Sequence, residues 1–155
     1  MFWVKLVYTF SLAILALWAC ERLARPAARA GGRLPWLLAP VVALAGLGAW
    51  WLSQVPAGEH LSSLMGHSAG VCSWLIVAFS LPPLMGLIWA TRALAPTRLR
   101  LAGLVLGLAA GGVGATAYTF HCDEMAAPFL AVWYSAGILG AGVIGTLIGP
   151  RALRW

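Results

Sequence analysis

What this sequence lacks most is charge. Only 9% of its 155 residues are Asp, Glu, Lys or Arg, while 62% are hydrophobic. A soluble domain carries about 25% charged and about 45–50% apolar residues, so a surface solvated by water is excluded and one solvated by lipid is expected. Acid is scarcer than base, with four Asp and Glu against ten Lys and Arg. The apolar runs hold no acid, and no ionisable group is expected deep within a helix. That removes the intramembrane charges on which pores and pumps depend. The three cysteines, Cys20, Cys72 and Cys122, form no CxxC pair, which excludes a zinc ribbon and a thioredoxin-type motif. No GxSxG, HExxH or phosphate loop occurs, so no enzyme activity is expected. The N-terminus offers a lone Lys5 and no small-residue cleavage site, so the first apolar run reads as a retained helix rather than a cleaved signal peptide.

What is present is a series of five apolar runs, at about 2–20, 36–55, 69–91, 100–120 and 127–148. Each is close to the ~20 residues a helix needs to cross a hydrocarbon core of ~30 Å. The runs are continuous and do not alternate with period two, so strands are implausible. Lipid also leaves no partner for exposed backbone groups outside a helix or closed barrel. The expected fold is all-α, a polytopic bundle of five transmembrane helices forming one domain over 1–155.

The gaps sort by charge. Arg22, Arg25, Arg29 and Arg33 lie between the first two runs, Arg92, Arg98 and Arg100 between the third and fourth, and Arg151 and Arg154 in the tail. The other two gaps contain no base. One holds Glu59, His60 and His67, and the other the polar island His121, Cys122, Asp123 and Glu124. Nine of the ten bases thus share one side. The positive-inside rule makes that side and the C-terminus cytoplasmic, and the histidine-bearing loops periplasmic, in a bacterial inner membrane. The formal charge of +6 then reflects topology and anionic lipid, not direct nucleic-acid binding. Five helices with the C-terminus inside place Met1 outside, which leads us to expect a further helix upstream of it. Trp50, Trp51, Trp89 and Trp155 fall where interfacial aromatic residues are expected.

Two features bear on packing. Pro82-Pro83 should kink or break the third helix and serve as a conformational pivot. Gly103, Gly107 and Gly111, with Gly137, Ala141, Gly145 and Gly149, form small-residue faces for close helix contact.

The candidate chemistry lies on the periplasmic edge, where all three histidines and two of the three cysteines fall. Imidazole with thiolate suits soft metals, so His67, Cys72, His121 and Cys122 are the candidate ligands for a soft divalent ion. Cys72 sits in the first turn of its helix, where the dipole favours thiolate. Cys122 follows a helix C-terminus beside two acids, which disfavours it. Cys72 is therefore expected to react first with an oxidant or electrophile and Cys122 to resolve the adduct. A structural disulfide between the two is the competing reading, and Cys20 reads as a small hydrophobe.

GHSAGVC (66–72), the SLPPL run with its basic loop (80–100), HCDEMAAPFLAVWY (121–134) and GPRALRW (149–155) resemble the NrsF-type family. The resemblance covers essentially the whole chain, and its most specific part is the HC…E…PF…WY segment. It implies a membrane-bound anti-sigma factor that restrains an extracytoplasmic-function sigma factor. The family normally has six helices and a short cytoplasmic N-terminal segment, and this sequence begins at about the second helix. The resemblance also maps the family's paired cysteines, associated with sensing metal or oxidative stress, onto Cys72 and Cys122. A membrane thiol-redox or metal-binding protein without a transcriptional role is the alternative.

Overall fold

The computed structural model describes residues 1–23, 32–94, 96 and 98–154. Arg25, Arg29 and Trp155 of the topology argument lie outside them. The described residues contain no strand. They form α1 (Phe2–Leu23), α2 (Leu38–Gln54), a short α3 (His60–Met65), α4 (Ala69–Arg92), α5 (Leu99–Thr119) and α6 (Ala127–Ala152). Five helical stretches are long and apolar enough to cross a membrane, with α3 leading into the α4 stretch. The expected runs thus become helices within a few residues of their predicted ends.

The sequence reading treats 56–68 as a gap. The structure instead builds a 3-10 turn (Ala57–Glu59) and α3 there. The segment closes at Gly66, whose φ of +52° suits glycine. A Cβ at that position would lie 2.8 Å from the Glu124 carboxyl group, so the same glycine also admits that side chain.

Pro82 and Pro83 do not break α4, which stays helical from Ala69 to Arg92. Their missing N–H groups cost two backbone hydrogen bonds. Packing on both sides supports the helix through this stretch. Ile76 and Ser80 are buried before the prolines, and Leu84 and Ile88 after them.

The bundle is built around α5, which packs against α1, α4 and α6. Glycine allows these approaches. A Cβ at Gly103 would run into the Gly145 carbonyl, and one at Gly107 into that of Ala141, so α5 and α6 meet backbone to backbone. On another side of α5, a Cβ at Gly112 would come within 2.8 Å of the Ala13 nitrogen in α1. The buried side chains form two clusters. One contains Cys72, Cys122, Tyr118, Tyr134 and Phe129. The other, at the opposite end, contains Leu84, Val105, Leu106 and Leu153. α2 stays peripheral, with only Leu44 and Gly48 buried.

A buried thiol pair and its outer cleft

α4 begins at Ala69, so its first turn carries Cys72 into the bundle, where it is fully buried. α5 ends at Thr119, and the turn beyond it folds Cys122 back over the same core. Its backbone N–H donates to the Tyr118 carbonyl at 3.0 Å. The two thiols are near enough for each to affect the other's protonation, and all three cysteines are free. The Tyr118 and Tyr134 rings enclose them with centroids 6.0 Å apart. Tyr134 ends a π-helical turn of α6, Leu130–Tyr134. Its buried hydroxyl faces Cys122 but falls short of hydrogen-bond geometry with any partner.

Lys5 completes this site. It is 1% exposed, and its Nζ donates to the Cys122 carbonyl at 2.7 Å. No ionisable group was expected deep within a helix; Lys5 lies in the first turn of α1, yet it is buried against the bundle, which the sequence reading did not foresee. The available signal was that Lys5 is the one base inside an apolar run and the one on the histidine-bearing side. A long amine can be buried where a carbonyl receives it and a thiolate balances it.

Glu124 closes the site from outside. Its Oε1 accepts from the His67 N–H at 2.5 Å and the Ser68 N–H at 3.2 Å, tying the α5–α6 turn to the start of α4. Trp133 adds a second tie, its Nε1 donating to the Leu64 carbonyl at 2.8 Å. Between these ties lies a cleft of about 410 Å³ lined by His67, Ser68, Tyr118, His121, Cys122 and the Asp123–Glu124 pair. Cys122 lines the cleft, whereas Cys72 does not.

The order expected from the helix ends had Cys72 reacting first; the geometry puts Cys122 at the cleft wall and favours its thiolate. The Cys122 pKa falls from the usual 9.0 to about 5, chiefly through the neighbouring Cys72 thiol. Burial opposes the shift. Tyr134, the Glu124 backbone N–H and the charge of Lys5 assist it. The helix-end argument considered only the dipole and the acids next in sequence. It could not register that Lys5 and Cys72 arrive from distant segments.

Of the four candidate metal ligands, His67, His121 and Cys122 line this cleft and Cys72 lies behind it. His67 is exposed on the rim, 3.8 Å from Glu124, and His121 is exposed beside the Tyr118 ring. Among the described residues no three His, Cys, Asp or Glu side chains are grouped to hold a metal. The donors as arranged do not fit a four-ligand soft-metal site.

The family model described as "Negative regulator of sigma F" (NrsF) matches residues 1–155. The chain belongs to the NrsF family. Among NrsF relatives, the anti-sigma-F factor of Caulobacter vibrioides is 44% identical over 158 residues, covering 100% of this chain and 73% of its own length. The probable anti-sigma-F factor NrsF of Azospira oryzae is 37% identical over 155 residues, with the same shares. No solved structure matches this NrsF chain.

Proposed function

We propose that this chain is an inner-membrane negative regulator of an extracytoplasmic-function sigma factor, with Cys72 and Cys122 as its periplasm-facing oxidant sensor. Family membership supports the regulatory role. The observation that carries the sensing role is the pairing of two free, buried thiols of which Cys122, and not Cys72, lines the outer cleft. The charge sorting supports a cytoplasmic C-terminus.

In this reading a hydroperoxide or hypohalous acid enters the cleft. The Cys122 thiolate attacks its electrophilic atom and displaces alkoxide, hydroxide or halide. A hydroperoxide gives the sulfenic acid directly, and a sulfenyl halide reaches it by taking up water and releasing halide and a proton. The Cys72 sulfur then attacks the Cys122 sulfur, a disulfide forms and water leaves. The pair is oxidised by two electrons and the oxidant reduced by two. Closing the bond pulls the start of α4 toward the α5–α6 turn, repacks the helices and releases the sigma factor. No step in this reading passes through a metal.

The test is a sigma-dependent reporter in cells carrying the full-length chain, either wild type, Cys72→Ser or Cys122→Ser, challenged with hypochlorite or cumene hydroperoxide. Induction in the wild type and its loss in both variants is expected. Unchanged induction in both variants would overturn the sensing role. Failure of the sigma factor to co-purify with the unstressed chain would overturn the regulatory one.

A further inference from the structure

The opposite end of the molecule poses a separate charge problem. Three of the four acids, Glu59, Asp123 and Glu124, lie toward the thiol end. Glu21 is the one acid at the arginine end, and Arg33 lies 3.4 Å from it. Arg33 also donates to the Trp18 carbonyl at 2.7 Å and stacks on that indole.

Arg100, Arg151 and Arg154 are arranged differently. They line one cleft of about 410 Å³ between the start of α5 and the end of α6, together with Thr146, Leu147 and Pro150. Among the described residues none of the three guanidinium groups has a hydrogen-bond or ion-pair partner. α5 begins beside them with no side-chain cap and no acid in its first turn. The positive end of its dipole therefore adds to the arginines. Three unpartnered guanidinium groups lining one cleft suit a phosphate.

The neighbouring surface specifies which phosphate. Arg151 also lines a groove of about 460 Å³ between α4 and α6, whose other walls include Leu84, Met85, Ile88, Trp89 and Ile148. A soluble phosphate would use the cleft alone. A phospholipid would use both parts, its headgroup on the arginines and an acyl chain along the groove. We propose that Arg100, Arg151 and Arg154 bind the phosphate of an anionic phospholipid whose acyl chain lies in the α4–α6 groove. This rests on the reading of the chain as membrane-embedded.

The test uses the purified full chain in detergent micelles with phosphatidylglycerol, phosphatidylcholine or inorganic phosphate. Lipid adducts are counted by native mass spectrometry, and thermal unfolding is followed in parallel. The wild type should retain phosphatidylglycerol over phosphatidylcholine by about tenfold or more. The triple variant R100Q/R151Q/R154Q should lose that preference, while Arg22→Gln, outside the cleft, keeps it. Trp89→Ala should bind both lipids less without changing their ratio. Circular dichroism reports whether the triple variant is folded, and the adduct count does not depend on its stability.

Equal selectivity in the triple variant would overturn the proposal. So would inorganic phosphate reproducing the full thermal shift, which would assign the cleft to a soluble phosphate. Loss of sigma-factor co-purification with lipid selectivity intact would overturn it in favour of a protein partner. Carbonate extraction of cell membranes tests the membrane reading by itself. A chain released into the soluble fraction there would sink that reading, whatever the micelle result.

Discussion

The lowered pKa of Cys122 has four sources from separate parts of the chain. Cys72 faces it from α4, Tyr134 from α6, the Glu124 N–H follows it in the turn, and Lys5 holds its carbonyl from α1. The sign of the resulting pH dependence follows directly. A thiol whose folded pKa is depressed stabilises the fold at pH above its ordinary value of 9.0. That contribution falls as the pH drops and is lost on passing through about 5. Alkylation of Cys122 by a limiting maleimide should therefore be half-maximal near pH 5 and flat above about pH 6. Cys72 should label later, because it is buried behind the cleft. Cys72→Ala should move the Cys122 midpoint up by about 2 units or more, and Lys5→Met by about 1, since each removes a group that favours the anion. Peptide mass spectrometry across pH reads all three. Earlier labelling of Cys72, or an unmoved midpoint in both variants, would remove this account.

The element that decides the fold is α5, and its determinant is the backbone contact with α6. A side chain at Gly107 would meet the Ala141 carbonyl, which is backbone and cannot rotate away. Overpacking of this kind costs about 1–3 kcal/mol or more, so Gly107→Val should lower the unfolding temperature in detergent by about 5 °C or more. Gly46 faces open space, so Gly46→Ala should leave it unchanged within about 2 °C. A tolerant Gly107 would mean that α5 and α6 can separate without loss. This contact also shows what was legible in the sequence. The small-residue period on α5 and α6 is visible in the residues, and so are the five apolar runs, because lipid imposes length and composition on each helix separately. Which side of α5 meets which neighbour was not visible. Gly112 turns out to serve α1, and Gly137 serves α4 rather than α5. The same limit hid Lys5. A single base near a helix start looks like an interfacial residue until α1 is docked against the α5–α6 turn and the Cys122 carbonyl comes within 2.7 Å of its Nζ.

Across the whole molecule, the thiols and the arginines occupy opposite ends of the bundle. α5 has 21 residues, so at about 1.5 Å per residue the two ends lie about 30 Å apart. A signal over that distance requires an element with two arrangements that both ends can bias. α4 meets this requirement better than α5. It carries Cys72 in its first turn, runs through Pro82 and Pro83 with two backbone hydrogen bonds missing, and ends at Arg92 on the arginine side. α5 is held on three sides by close contacts at Gly103, Gly112 and Gly114. Joining Cys72 to Cys122 should therefore tilt α4 about its prolines while α5 and α6 stay fixed. Probes on noncanonical residues at positions 92 and 22 would report the movement without adding thiols. Their separation should change by about 2 Å or more on oxidation and return with dithiothreitol. Cys72→Ala should abolish the change, and Pro82→Ala with Pro83→Ala should shrink it by restoring the two missing backbone hydrogen bonds. A pair of probes on α5 and α6 should not move. If α4 stays still while the disulfide forms, the pair does not communicate with the arginine end through this helix.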